Sequence, residues 1–167
     1  MSRMPDLVVR AAVKAEAEAI AALLRQAFLE FEPLYTPEGF AATTPTAEQI
    51  RARWAEGPVW VALDGVRIVG TVAAVPTGRG LHMRSMAVAP SARGRGVGRA
   101  LLEQVEELAR ARGFERVFLS TTPFLHDAIR LYQGAGFVRL EEGPHQLGGT
   151  PLFSMEKGLR AAGGAKG

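Results

Sequence analysis

A glycine-rich stretch between residues 86 and 99, MAVAPSARGRGVGR, carries the residue types most typical of a binding site in this sequence. Strand-like residues precede it, and a helical pattern of apolar residues begins at Val97. The first N–H groups of a helix are unpaired and sit at its positive end, and glycines let phosphate oxygens approach the backbone closely. The stretch therefore predicts a phosphate site, near which Arg93, Arg95 and Arg99 are either phosphate neighbours or ordinary surface arginines.

Two other phosphate-binding motifs do not fit this stretch. A P-loop needs a lysine directly after its second glycine, and none of the three lysines of the chain follows glycines of that spacing. A dinucleotide fingerprint starting at Gly94 needs a further glycine where Arg99 stands, and one starting at Gly96 needs it where Leu101 stands. Both motifs are excluded.

Charge is distributed unevenly along the chain. No acidic residue lies between Asp64 and Glu103, a segment that holds six arginines, whereas residues 15–64 hold eight acidic residues and three arginines. The first distribution predicts an anionic ligand, and the second mildly favours a cationic acceptor. The alternative for both is that the charges are solvated faces of amphipathic helices. The net charge of +3 is too small to indicate nucleic acid as a partner.

Two further side chains could move protons. Tyr132 has a phenol that, with an ordinary pKa near 10, keeps its proton at neutral pH and can donate it. Its alternative role is that of a core aromatic, because it shares one helical face with Leu125, Ala128 and Ile129. His82, in a predicted strand, has an ordinary pKa near 6.5 and is either a proton acceptor or a structural residue.

The elements that position these residues alternate between strand and helix patterns, which predicts a mixed α/β domain. An Asp64-Gly65 turn joins two strands as a hairpin, and Thr122-Pro123 is a candidate helix start. Residues 32–45, rich in proline and threonine, predict a loop. The strands are expected at 7–10, 59–63, 66–75, 81–89, 117–119, 137–140 and 152–155, and the helices at 13–31, 48–54, 97–112 and 123–133.

Composition limits the class of protein. With 167 residues, 47% hydrophobic, the chain predicts one globular domain over residues 1–157 and a disordered Gly/Ala-rich tail over 158–167. Its apolar runs are shorter than the roughly 18 residues that begin to span a bilayer, and no secretory signal is readable. Zero cysteines exclude disulfides, zinc-thiolate sites and thiol nucleophiles. We expect a cytoplasmic protein with no metal and no membrane partner.

Two motifs together resemble those of one family. The first is Arg-x-x-Gly-x-Gly over residues 93–98, between a strand and a helix, and the second is AIRLYQGAGF over residues 128–137. Both are similar to the motifs of the GNAT superfamily of acyl-CoA-dependent N-acyltransferases. The resemblance implies a central, mostly antiparallel sheet that splays into a V and is flanked by about four helices.

The resemblance also implies roles for particular residues. Tyr132 would protonate the departing thiolate, and His82 stands where relatives commonly carry a glutamate that serves as base. Leu125 departs from the family, which often has asparagine there. The implied coenzyme A contacts are Met86, Ala87 and Val88 along the pantetheine arm and Arg93, Gly94, Arg95, Gly96, Val97, Gly98 and Arg99 around the pyrophosphate.

The function that the resemblance implies is transfer of an acetyl group from acetyl-CoA to a primary amine of a small molecule or a peptide, by direct attack in a ternary complex. The alternative is a non-catalytic acyl-CoA-binding module, which the histidine at position 82 and Leu125 would suit. A nucleic-acid surface is a weaker third reading. Acceptor determinants are expected in residues 30–56 and 143–150, and dimers are frequent in the family, so a homodimer is allowed.

Overall fold

The computed structural model describes residues 4–141 and 145–159, which form a mixed α/β domain. Five helices of seven residues or more occur in this part of the chain: α1 Ala17–Phe28, α2 Pro37–Thr43, α3 Ala47–Arg53, α4 Val97–Ala111 and α5 His126–Gly134. The strands are β1 Leu7–Ala11, β2 Val59–Asp64, β3 Arg67–Thr77, β4 Gly80–Val88, β5 Arg116–Thr121, β6 Val138–Arg139, β7 His145–Leu147 and β8 Thr150–Gly158.

The strands form one open sheet in the order β1-β2-β3-β4-β5-β8-β6, with β7 paired to β8. All pairings are antiparallel except that of β4 with β5. That parallel pairing is limited to Leu81 with Val117 and His82 with Phe118, after which the two strands diverge. The predicted V-shaped, mostly antiparallel sheet is therefore confirmed.

Helix α4 covers one face of the sheet. Its apolar residues are buried against β3 and β4, so the helical spacing of apolar residues in the sequence corresponds to the buried face of α4. Gly113, at φ +75°, ends the helix in the left-handed conformation that glycine adopts without strain. Among the helices that the structure describes, none combines the length and apolar character needed to cross a membrane.

Gly70 of β3 sets how closely α4 approaches the sheet. A Cβ at this position would lie 2.7 Å from Val97 Cγ1 and 3.0 Å from Leu101 Cδ1. We expect Gly70→Val to lower the free energy of unfolding by about 1–3 kcal/mol, because the helix must move or the core must strain. Gly78→Val is the control, since a Cβ there meets nothing within 4 Å, and urea denaturation of both variants gives the comparison. Equal stabilities would contradict this packing.

Helix α1 covers the other face. Its residues Ala17, Ile20 and Leu24 pack with Ile50 of α3 against the inner residues of β2. Because both faces are covered, β2 is buried over Val59–Leu63, which explains its continuous apolar run.

Two sequence predictions about helices are corrected by the structure, and one strand lies outside the predicted elements. The expected loop over 32–45 contains α2, whose start is capped by the Thr36 hydroxyl accepting from the Gly39 N–H at 2.9 Å. Thr122 does not cap α5, which begins at His126 after Leu125, where no side chain caps it. Strand β7 was not predicted. The prolines of the first segment suggested breaks, but Pro37 occupies the first helical position, where its missing N–H costs nothing.

Strand β8 continues to Gly158, and the Leu159 N–H donates to the Glu115 carbonyl at 2.8 Å. The rest of the predicted disordered tail, from residue 160, lies outside the described residues. Residues 143 and 144 of the expected acceptor segment also lie outside them.

Candidate functional site

A cavity of about 940 Å³ opens where β4 and β5 diverge. The ladder between β4 and β5 ends at His82 and Phe118. After His82, the edge of β4 that faces β5 is therefore unpaired, while the other edge stays paired with β3. The start of α4, the inner face of α5 and the end of α1 complete the wall. A cavity of this size suits an extended ligand.

A bulge in β4 shapes the middle of this wall. The register passes from Ala73–Arg84 to Thr71–Ala87, so that one residue of β3 faces both Ser85 and Met86. Ser85 has φ +56°, a left-handed value that a serine adopts only where its surroundings require it. Bulges turn the backbone of a strand, and here the turned backbone borders the cavity beside the unpaired edge.

The glycine-rich turn forms one end of the cavity. Gly94 has φ +76° and Gly96 has φ +84°, and Gly96 caps α4 without any side-chain hydrogen bond. The first N–H groups of α4 therefore have no capping side chain. Gly98 allows α5 to approach, because a Cβ there would lie 2.8 Å from Leu131 Cδ2. All these features match a site for an anion on the helix start.

The three arginines of the turn differ in their position relative to the cavity. Arg93 and Arg99 line the cavity, whereas the exposed Arg95 does not. The guanidinium of Arg93 forms an ion pair with Glu30 at 2.6 Å and donates to the Ala27 carbonyl at 3.0 Å, which ties the turn to the end of α1. Of the predicted phosphate-side residues, Arg95 is therefore the one that the structure leaves outside the cavity wall.

Tyr132 is buried in the wall, with 6% of its surface exposed. Burial raises the pKa of its phenol well above the ordinary value, and the neighbouring Tyr35 phenol raises it further. Burial also raises the pKa of Tyr35, an effect that the hydroxyls of Thr43 and Thr122 partly offset. Both phenols therefore keep their protons at neutral pH.

Tyr35 also lines the cavity; it lies in the expected acceptor segment 30–56, although nothing in the sequence singles it out. It lies just before α2, in the segment that was expected to be a loop, and its ring contacts Phe124 edge to face with centroids 4.8 Å apart. The only available signal was the Thr36-Pro37 pair, which has the residue types of a helix start.

His82 lines the same cavity from β4, at the point where the strands part. Its imidazole stacks on the Phe118 ring with centroids 4.8 Å apart and planes 16° from parallel. Burial lowers its pKa, and the positive charge of Arg84 lowers it further. The imidazole is therefore neutral at pH 7 and able to accept a proton.

Both tryptophans and His126 lie outside the cavity wall. Trp60 is buried in the core on the α4 side, and Trp54 packs against the α1-side core. His126 is exposed at the start of α5.

The acid-rich segment does not give the cavity a negative wall. Among the described lining residues the one carboxylate is Asp127, which is paired with Arg130. Four acids of segment 15–64 are instead paired with arginines: Glu16 with Arg10, Glu18 with Arg51, Glu30 with Arg93 and Glu56 with Arg84. The excess of acidic residues in segment 15–64, which favoured a cationic acceptor, is therefore absent from the described cavity wall.

Comparisons with known proteins agree with this geometry. A family model described as the acetyltransferase (GNAT) family matches residues 20–137. N-acetyltransferase family 8 member 2 of Rattus norvegicus is 40% identical over 89 residues, which are 50% of this chain and 39% of that protein. The chain thus spans well under half the length of that relative. The uncharacterized N-acetyltransferase YjgM of Escherichia coli strain K12 is 30% identical over 129 residues, 74% of this chain and 77% of that protein.

Solved structures show the same fold. The PaiA N-acetyltransferase of Thermoplasma acidophilum, in complex with coenzyme A, superposes with a TM-score of 0.77 at 15% identity, covering 92% of this chain and 99% of that one.

Proposed function

Since the chain belongs to the GNAT family of acetyltransferases, we propose that it transfers an acetyl group from acetyl-CoA to a primary amine by direct attack in a ternary complex. The observation that carries this proposal is a single cavity that joins the uncapped start of α4 to Tyr132 and His82. Such a reaction needs a site that holds the acyl donor at one end and places proton-transferring groups next to the reacting atoms.

The donor would be held by backbone more than by side chains. The diphosphate of coenzyme A would accept hydrogen bonds from the N–H groups between Gly94 and Gly98, where positive φ values keep the turn open. The pantetheine arm would lie along the free edge of β4 over Met86, Ala87 and Val88. An N–H beside the bulge would polarise the thioester carbonyl as charge develops on its oxygen.

The reaction forms a bond from nitrogen to the acetyl carbon and breaks the bond from that carbon to sulfur. His82 would take the proton that the attacking nitrogen loses, and Tyr132 would supply one to the sulfur. Because burial disfavours a phenolate, Tyr132 would give up its proton only as the sulfur takes up the electron pair. The acceptor site would be built by Phe31, Tyr35, Thr43 and Leu147, which line the remaining wall.

The pH dependence of kcat/KM tests the proposed role of His82 as the proton acceptor. Burial and the charge of Arg84 lower the pKa of the His82 imidazole. Two further cations, Arg79 and Arg116, lie over the Phe118 ring on which the imidazole stacks. His82 should therefore be protonated only below the ordinary pKa of about 6.5. A protonated imidazole cannot accept a proton, so we expect kcat/KM to stay constant from pH 8 to about 6.5 and to fall below that.

In the same assay, His82→Gln should lower kcat/KM about 10²-fold and remove this acid limb. His126→Gln, which changes an exposed histidine, should leave both unchanged. An unaltered acid limb in His82→Gln would assign the base to another group.

The second candidate, an acyl-CoA-binding module without turnover, is favoured by Leu125, which lines the cavity with an apolar side chain where many relatives have an amide. Release of free thiol from acetyl-CoA, measured over a panel of amines with mass spectrometry of the products, separates the two. Acetylated product supports the transferase, whereas tight binding of acetyl-CoA with no product from any amine supports the module.

A further inference from the structure

Two arginines lie together at the part of the cavity that the donor does not need. Arg84 is on β4 opposite Ala73, whereas Val88 is opposite Gly70 three residues further along β3, so Arg84 lies about 10 Å from Val88 along the sheet, toward the opposite end from the turn. Its guanidinium forms an ion pair with Glu56, which lies three residues after Arg53 at the end of α3. This ion pair brings Arg84 to the end of α3, and both arginines line the cavity.

The hydrogen-bonding capacity of this pair is only partly used. Arg84 Nε is buried and has no hydrogen-bond partner among the described residues. Arg53 has no ion pair in the part of the chain that the structure describes, and burial together with the charge of Arg84 lowers its pKa, which Glu56 only partly offsets. Two partly buried cations with one shared carboxylate leave positive charge uncompensated, which is costly without a further anion.

We propose that Arg53 and Arg84 bind an anionic oxygen group of the acceptor, a carboxylate or a phosphate, so that the preferred acceptor is an amine that also carries an acid. This inference rests on the proposed acetyl transfer. Guanidinium groups present several N–H donors in a planar fork that fits two oxygens of such a group.

The position of the pair relative to His82 supports its role in placing the acceptor. His82 and Arg84 are two residues apart on one strand before the bulge, so their side chains leave the same face of the sheet. An acceptor anchored by its acid group at Arg84 would therefore hold its amine beside the residue that takes the proton. The diphosphate of the donor is proposed to bind beyond the bulge and would not compete for this pair.

Matched amines test the proposal. With saturating acetyl-CoA, L-phenylalanine is compared with phenethylamine, and O-phosphoethanolamine with ethanolamine, so that each pair differs in its acid group. In at least one pair, we expect kcat/KM to be about 10²-fold higher for the acidic amine than for the neutral one. The pair that shows this difference tells whether the site prefers a carboxylate or a phosphate. Equal values in both pairs, or a preference for the neutral members, would overturn the proposal.

Substitutions locate the effect. Arg53→Gln and Arg84→Gln should each reduce the preference for the acidic amine about tenfold, mainly through KM, while the affinity for coenzyme A stays at the wild-type value. Arg51→Gln removes an exposed arginine from the same helix, one that pairs with Glu18, and should leave the preference unchanged. A drop in kcat alone, with KM constant, would contradict a binding role.

The failure of the proposed function can be told apart from the failure of this inference. If no amine is turned over, calorimetric titration of the same amines into the protein saturated with coenzyme A still measures acceptor binding. Binding of the acidic members that is lost in Arg84→Gln would uphold the anion site without transfer, whereas no binding of either acidic member would overturn it.

Discussion

Replacing Tyr132 by phenylalanine is expected to lower kcat about 10³-fold while the affinity for acetyl-CoA changes less than about threefold. The substitution removes one hydroxyl from a ring that stays buried in the cavity wall, so packing against Phe137 is kept. The sulfur would then leave as a thiolate with no donor beside it. Steady-state kinetics and calorimetric titration of acetyl-CoA give the two quantities.

Tyr35→Phe is the matched control, because Tyr35 is a second buried phenol of the same cavity, close enough to Tyr132 to affect its pKa. We expect this variant to lose less than about tenfold in kcat, since Tyr35 is proposed to border the acceptor and not the sulfur. A thermal melt of each variant shows whether the fold is kept. A larger loss in Tyr35→Phe than in Tyr132→Phe would reverse the assignment of the proton donor.

Gly96→Glu is expected to weaken acetyl-CoA binding about 10³-fold. Gly96 has φ +84°, so any side chain there strains the turn and displaces the N–H groups that follow. The glutamate also places a negative charge where the diphosphate is proposed to lie. Loss of two hydrogen bonds to a charged group, at about 1.5–3 kcal/mol each, accounts for an effect of this size.

Gly113→Glu controls for strain and charge. Gly113 follows the other end of α4, at φ +75°, and a Cβ there meets nothing within 4 Å. The two variants thus add the same side chain to a similar backbone conformation at opposite ends of one helix. We expect Gly113→Glu to bind acetyl-CoA with wild-type affinity, and similar losses in both variants would mean that the effect is not local to the turn.

The parts of the site that the sequence predicted are those governed by local rules. The start of α4 was predictable because glycines before an apolar stripe of helical period specify both a helix and positive φ values before it. The hairpin at Gly65 followed from the same kind of local signal. Gly94 and Gly98, which flank the start of α4, line the cavity.

The parts that the sequence did not predict depend on contacts between distant segments. Ser85 carries no sign of its left-handed conformation, which arises from the register of β4 against β3. Tyr35 reaches the cavity only because α2 and the turn before it pack against the rest of the site. Likewise, Arg84 is brought to the end of α3, and so to Arg53, by its ion pair with Glu56, a residue 28 positions away that no spacing rule indicates.

The backbone at the start of α4 is proposed to hold the diphosphate of acetyl-CoA, and the other assignments in the cavity depend on this one. A crystal structure of the protein grown with coenzyme A tests it most directly. We expect diphosphate oxygens within hydrogen-bond distance of N–H groups between Gly94 and Gly98, with the pantetheine arm passing Met86. A diphosphate bound at Arg53 and Arg84, or outside the cavity between β4 and β5, would contradict it.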